Sequence, residues 1–169
     1  MSGTRPILES VRQRVQLALP AVAVELFPDR PEQYRFMHPK AAVLIAKQSS
    51  TYRDLQDIGC VVQERQIVIH LTVFSRNLNG EMGGLDLIDV LGLALAGFKP
   101  NDCSPCHLLD EGFLTESGGA WQHYIRVKTE TEQVQAVSDV DLPKFIRLRL
   151  RHADEPLATD LQAAAVPYA

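Results

Sequence analysis

The sequence predicts an α/β fold of the α+β kind, in which two helices pack on a mixed, largely antiparallel sheet of about five strands. Residues 66–75 are dense in β-branched and aromatic side chains, as in a central strand. Residues 85–98 place leucine and isoleucine at helical spacing. Residues 108–115 and 120–131 flank a Gly-rich connection of the length found in β-hairpins. Together these observations predict a strand, a helix and a hairpin in succession.

The first third of the chain supplies the remaining elements. Residues 6–19 alternate apolar and polar faces at helical spacing and predict an amphipathic helix. Residues 21–27 and the apolar run 41–46 each have the length of a strand, the second covered on both faces. Residues 48–57 are polar and predict an exposed loop. Because such loops often contact partners, Arg53 within it is a candidate interface residue.

Three polar or alternating segments complete the prediction. Residues 63–65 indicate a bend or bulge before the regular part of the central strand, and residues 130–141 a linker. Residues 145–151 alternate strictly between apolar and basic side chains, which predicts a strand that adds to a sheet edge. The predicted domains are therefore a single α/β domain over residues 1–141 and a basic strand with an extended tail over 142–169.

The composition predicts an ordinary globular domain. The chain has 169 residues, 46% of them hydrophobic and 22% charged, which excludes disordered and fibrous classes. The net charge of −4 gives no global reason to bind DNA or anionic lipid. No stretch approaches the roughly 20 apolar residues of a membrane-spanning helix. Three cysteines without a signal peptide indicate a reducing compartment, so we expect a cytoplasmic protein that enters no membrane.

The predicted helix over residues 85–98 is apolar around most of its circumference, with Asp86 and Asp89 as its polar exceptions. A helix of this kind must be covered on more than one side. Either other elements of the same chain cover it, or a second subunit does. The second possibility predicts oligomerisation and makes Leu93 a candidate interface residue.

The segment Cys103-Ser-Pro-Cys106-His107 is the motif most suggestive of chemistry. It matches the pattern of c-type haem attachment and contains a Cys-x-x-Cys of redox type. It could also supply up to three zinc ligands, with Cys60 or His123 as a fourth. Against these stand the missing export signal and a position between a helix and a strand rather than at a helix N-terminus. The simplest interpretation is a turn stabilised by Pro105, so we expect no metal and no cofactor.

No other constellation indicates catalysis. His70 lies within a predicted strand with no nucleophile in evidence, and Asp86 and Asp89 suit the first turn of a helix. The sequence contains no phosphate-binding glycine loop and no nucleophile elbow. We therefore expect no enzyme and no catalytic residue. The basic face of the C-terminal strand lacks interleaved aromatic residues and suits an acidic protein surface better than nucleic acid; it comprises Lys144, Arg147, Arg149 and Arg151.

Over residues 21–131 the order of these elements resembles phage tail proteins, specifically the Mu-like tail family whose fold is similar to the tail terminators of long-tailed phages. The resemblance is carried by the ensemble of the strand over 61–75, the Gly-Gly-Leu-x-Leu-Ile-x-x-Leu helix that ends in Leu-Ala-Gly-Phe-Lys-Pro100, the strand around Gly112 and Phe113, and the return strand from Trp121 to Thr129. Neither the Cys-Ser-Pro-Cys-His segment nor the basic strand belongs to the matched pattern.

The resemblance implies a structural protein of the virion. Tail terminators form a six-subunit ring that caps the tail and prepares it to join the head. The expected partners are further copies of the chain, tail tube and sheath proteins and head-tail connector or neck proteins, with DNA only as transient cargo through the lumen. The expected location is the head-proximal end of the tail, reached from the host cytoplasm. Two alternatives stay open: another tail completion or neck protein, and a small metal- or redox-dependent protein using Cys103, Cys106 and His107.

Overall fold

The computed structural model describes residues 3–30, 34–55 and 61–136. Within these ranges a mixed five-stranded sheet carries two helices, which confirms the predicted fold class. The elements follow in the order α1 (Thr4–Ala18), β1 (Ala23–Leu26), β2 (Ala41–Tyr52), β3 (Val62–Ser75), α2 (Gly84–Leu95), β4 (His107–Ser117) and β5 (Ala120–Val134).

The sheet is built around β3, in the order β1-β2-β3-β5-β4. β1 pairs with β2 in parallel, and the other three pairings are antiparallel. The ladder between β3 and β5 runs without a register shift from Val62↔Val134 to Ser75↔Trp121. The predicted bend at residues 63–65 is therefore wrong for this pairing. The irregularity lies across the sheet in β2, between Lys47 and Ser49.

Two predicted interruptions of the sheet are also wrong. β2 continues through the polar residues after 46 as far as Tyr52, although we expected a loop from 48 to 57. β5 extends to Val134, where we expected a linker from 130. In both places backbone pairing with β3, which in β2 resumes after the register shift between Lys47 and Ser49, compensates for side chains that bury little apolar surface. The predicted basic strand at 145–151 and the domain boundary at 141 lie outside the described residues.

The core lies between the two helices and one face of the sheet. Along β3 and β5 every second side chain turns toward the helices, the period expected of a pleated strand. α1 covers this face with Ile7, Val11 and Val15. α2 covers it with a six-residue stripe at helical spacing, consisting of Gly84, Leu87, Ile88, Leu91, Ala94 and Leu95.

The outer side of α2 is not covered within the described residues. Leu93 is 82% exposed, and Leu85 is half exposed. The helix ends at Leu95, before the predicted end at 98. Gly97 then takes a positive φ of 75°, a conformation that glycine adopts at helix C-termini without a steric penalty. Thus the turn at Gly97, rather than Pro100, ends the helix.

The connection between β4 and β5 confirms the predicted hairpin. Gly118 and Gly119 form a two-residue loop with φ angles of 59° and 74°. Two consecutive positive φ angles are the signature of the type I′ turn, which matches the twist of the flanking strands. The Glu116 carboxylate accepts a hydrogen bond from the Gly119 backbone N–H at 2.9 Å, and this contact holds the turn closed.

Candidate functional site

β4 is an edge strand with unusually apolar exposed side chains. It pairs with β5 on one side, and within the described residues no strand pairs with its other side. Four large apolar side chains of β4 are each between 41% and 54% exposed: Leu108, Leu109, Phe113 and Leu114. A contiguous apolar patch on a small protein typically marks an interaction site.

Helix α2 lies alongside β4 on the core side of the sheet. A Cβ atom built on Gly92 would lie 3.6 Å from Leu108 Cδ1. Leu85 is seven residues before Gly92, so it projects from the same side of the helix toward the β4 flank. We call the exposed apolar side chains of α2 and of the adjoining face of β4 the α2–β4 surface, comprising Leu85, Leu93, Leu108 and Phe113. Within it, Leu93 projects from the outer side of the helix, away from the sheet.

The two bulges of β4 fall on the other two exposed leucines. The pairing with β5 shifts register between Leu108 and Asp110 and again between Phe113 and Thr115, so Leu109 and Leu114 have no partner on β5. Bulges on an edge strand restrict which strands can pair with it. The regular section of β4 between the two bulges is short. Its free edge is therefore more selective for its partner than the edge of a long, flat strand would be.

β4 is also acidic. It carries Asp110, Glu111 and Glu116 and contains no lysine or arginine. Arg126 on β5 donates from Nε to Asp110 Oδ1 at 2.6 Å, and this bond lowers the pKa of the Asp110 carboxyl. Asp110 therefore lies on the face of the sheet away from the helices, whereas Glu111 and Glu116, opposite Ile125 and Trp121, lie on the helix side.

Arg53 lies on the other face of the sheet from α2. Its Nε is 3.1 Å from Glu64 Oε1, and its Nη2 is 3.8 Å from Glu130 Oε1. Glu130 belongs to the alternate set of β5 side chains, which turns away from the helices. The structure therefore does not bring together the predicted interface residues Arg53 and Leu93. Exposed ion pairs of this kind contribute less than about 1 kcal/mol, and a partner role for Arg53 stays a prediction.

Cys103 and Cys106 belong to the core, whereas His107 is exposed on β4. The loop that carries them is fixed by backbone hydrogen bonds, from Cys106 N–H to Phe98 O at 2.7 Å and from Ser104 N–H to Glu130 O at 2.7 Å. The three side chains therefore do not converge on one point. In the part of the chain that the structure describes, no group of three or more potential ligands could hold a metal ion.

The proposed fourth zinc ligands do not change this geometry. His123 lies six positions along β5 from Thr129, which contacts the cysteine loop, and six strand residues span about 20 Å. Cys60 lies outside the described residues. The motif instead forms a turn that joins α2 to β4 and buries its two cysteines.

Both thiols are expected to be slow nucleophiles in the folded protein. Burial raises the pKa of Cys103 and raises the pKa of Cys106 to about 11, so each is protonated at neutral pH. We expect a thiol reagent at pH 7.5 to label these cysteines at least about 100-fold more slowly in the native chain than in the denatured chain. Peptide mapping after timed quenching measures each site separately. Rapid labelling of Cys103 in the native protein would support the alternative of a redox-dependent protein.

His123 supports the start of α2. A Cβ atom built on Gly84 would lie only 2.7 Å from His123 Cε1, so this position admits glycine alone without a shift of the ring. His123 Nδ1 is buried and has no hydrogen-bond partner within the described residues. Burial lowers the pKa of His123, and burial together with nearby Arg126 lowers the pKa of His70.

These two histidines predict acid sensitivity. Because their folded-state pKa values lie below the unfolded value of about 6.5, the unfolded chain binds more protons as the pH falls. Their contribution to stability is present above about pH 6.5 and is lost below it. We expect the free energy of unfolding, measured in urea, to fall between pH 7 and pH 5. His123→Leu should flatten this dependence, whereas His107→Gln at an exposed position should not; an equal slope in all three proteins would refute the assignment.

Sequence reasoning found Leu93 but missed the β4 part of the surface. The signal was present in the adjacent apolar pairs Leu108-Leu109 and Phe113-Leu114, which break the alternation of a half-buried strand. Each pair contains a bulged residue, so the broken alternation and the register shifts have one cause.

Comparison with known proteins identifies a family whose sequence pattern the chain matches. The sequence profile of a phage-related family, described as Gp37 protein, matches residues 11–150. No curated protein matches the chain. Among the described residues, no helix is both long and apolar enough to cross a membrane.

Proposed function

Because the chain belongs to the Gp37 protein family, we propose that it is a structural tail protein of a phage or phage-derived particle, similar to a tail terminator. Membership of a phage-related family confirms the phage part of the resemblance. The proposed role is to form a ring that caps the tail tube or sheath and joins it to the head or neck.

The α2–β4 surface is the observation that carries this proposal. A ring needs two different patches on opposite flanks of each subunit, because its contacts are head to tail. The strand order places β4 at one edge of the sheet and β1 at the other. On the β1 side, α1 exposes Leu17 and the residue after β1 exposes Phe27. Two apolar flanks at opposite edges supply the two halves of a repeating contact.

The number of subunits and the partners follow from the resemblance to tail terminators. We propose a hexamer at the head-proximal end of the tail, in contact with tube and sheath proteins below and connector or neck proteins above. DNA passes through the lumen as transient cargo. The alternative is that the chain is another tail completion or neck protein. Such a protein would occupy a different position on the assembled particle.

Two measurements test the proposal. Sedimentation of the full chain over a wide concentration range should show association toward a mass of six chains. Negative-stain images of tails assembled with and without the chain should show a cap at one tail end only in its presence. A chain that stays monomeric at all concentrations and never localises to tail ends would refute the proposal. A chain that localises elsewhere on the particle would favour the completion-protein alternative.

A further inference from the structure

The flank of the molecule that α2 and β4 form is acidic as well as apolar. These two elements carry five acidic residues and no lysine or arginine. On α2, the exposed Asp89 lies one turn from both Leu85 and Leu93, so its carboxylate stands between these two apolar side chains. On β4, the exposed Glu111 lies on the helix side of the sheet. We call Asp89, Glu111 and the α2–β4 surface that they border the acidic flank.

The flank that α1 and β2 form has the opposite charge. These two elements carry four lysine or arginine residues and a single carboxylate, Glu9. That carboxylate is already paired, because Arg12 Nη2 lies 2.6 Å from Glu9 Oε1. α1 contacts β1 and β2, whereas α2 contacts β3, β4 and β5. The basic and acidic flanks therefore lie toward opposite edges of the sheet.

Three basic side chains of this flank lie on the helix side of the sheet, near the β1 edge. Arg14 donates a hydrogen bond to the α2 backbone at 2.9 Å, so it marks the side of α1 that faces α2. At about 100° per residue, Arg5 and Arg12 lie on the other side of the helix, toward β1. Lys47 is exposed just beyond the part of β2 that β1 covers, and it pairs with the core residue Ile69. We call Arg5, Arg12 and Lys47 the basic flank.

These charges favour one mode of contact between two copies of the chain. If two acidic flanks met across a two-fold axis, carboxylates would face carboxylates, and like charges across an interface oppose binding. A contact between the acidic flank of one copy and the basic flank of the next joins opposite charges instead. It also leaves one flank of each kind free, so the same contact can repeat from copy to copy.

We propose that the acidic flank of one copy of this chain binds the basic flank of a second copy, head to tail. Asp89 and Glu111 meet the basic side chains of the neighbour in this contact. The α2–β4 surface packs on the neighbour's α1, where Leu8 is only partly buried by its own chain. The charges determine which flanks combine, and the apolar side chains supply buried area. This inference rests on the proposed self-assembly and identifies the two surfaces through which it occurs.

Charge reversal on each flank tests the pairing. Asp89→Lys with Glu111→Lys gives a full-length chain with two basic flanks, and Arg5→Glu with Lys47→Glu gives one with two acidic flanks. Each alone should associate at least about 10-fold more weakly than the natural chain in sedimentation at low salt, because like charges then face each other. Mixed in equal amounts, the two variants should associate as strongly as the natural chain, in complexes that contain both. Far-ultraviolet circular dichroism checks that each variant is folded.

Glu25→Lys with Glu132→Lys is the matched control. Both carboxylates are exposed on the face of the sheet away from the helices, and the substitutions change the net charge by as much as those at Asp89 and Glu111. We expect the control to associate like the natural chain. An equal loss in the control would trace the effect to net charge and overturn the inference.

The remaining outcomes separate this inference from the proposed function. Natural-strength association of a reversed variant alone, or two folded variants that fail to combine, would show that these flanks do not meet and would leave the proposed function standing. A natural chain that never associates, alone or at tail ends, would refute both. The single reversals Glu111→Lys and Lys47→Glu give the same comparison where a double variant fails to fold.

Discussion

Leu93→Glu is expected to abolish self-association and leave the monomer folded. Leu93 is 82% exposed and touches little of its own chain, so a carboxylate there costs the monomer almost nothing. In an assembly that covers the α2–β4 surface, the same carboxylate would be buried without a partner. An uncompensated charge at the centre of a contact weakens binding by several kcal/mol, so we expect a loss of at least about 100-fold in the association constant.

Met37→Glu is the matched control for this change. Met37 is 83% exposed and lies in the segment between β1 and β2, so the substitution has the same chemistry and exposure at a different place. Sedimentation at several concentrations should show association for the natural chain and for Met37→Glu, and its loss for Leu93→Glu. Equal association of all three proteins would remove Leu93 from the interface. A large drop in monomer stability with Leu93→Glu would instead place this side chain in the core.

Leu91→Ala is expected to cause the largest loss of monomer stability among these changes. Leu91 lies two residues before Leu93 on α2, but it is fully buried in the core between the helices and the sheet. Truncation of a buried leucine removes its packing and leaves a cavity, which typically costs about 2–5 kcal/mol. Urea unfolding monitored by circular dichroism should report a loss in this range.

The comparison with Leu93→Ala isolates the effect of burial. Both substitutions remove the same atoms from the same helix, so helix propensity changes equally. We expect Leu93→Ala to change the free energy of unfolding by no more than about 0.5 kcal/mol. Similar losses for the two variants would mean that α2 presents a different side to the sheet.

The elements that the sequence predicted correctly are those with a strong local period. α1 and α2 have apolar side chains at helical spacing, and β3 is dense in β-branched residues. The errors fall where strand pairing continues through polar residues, as in the second half of β2 and at the end of β5. There the backbone of β3 dictates the conformation, and no local side-chain pattern reports a neighbour that is distant in sequence.

Only the α2 part of the α2–β4 surface could be predicted from the sequence, for a similar reason. The apolar excess of α2 is visible in the sequence, and the structure shows that it leaves Leu93 exposed. That β4 forms the edge of the sheet depends on strand order, which the sequence does not reveal. For the cysteine motif, the sequence suggested a site and the structure showed a different role. Its spacing suggested ligands, but the packing of Cys103 and Cys106 among core residues became visible only in three dimensions.

The long ladder between β3 and β5 has a consequence for synthesis of the protein. β3 sits at the centre of the sheet, yet its partner on this side begins only at Ala120, after α2 and β4. Closing so long a loop slows folding, and the ribosome must release most of the chain before the pairing can form. Until then, the apolar strand β3 stays uncovered on one edge in the nascent chain. Fast closure of the β4–β5 hairpin therefore shortens the time during which this uncovered edge can aggregate.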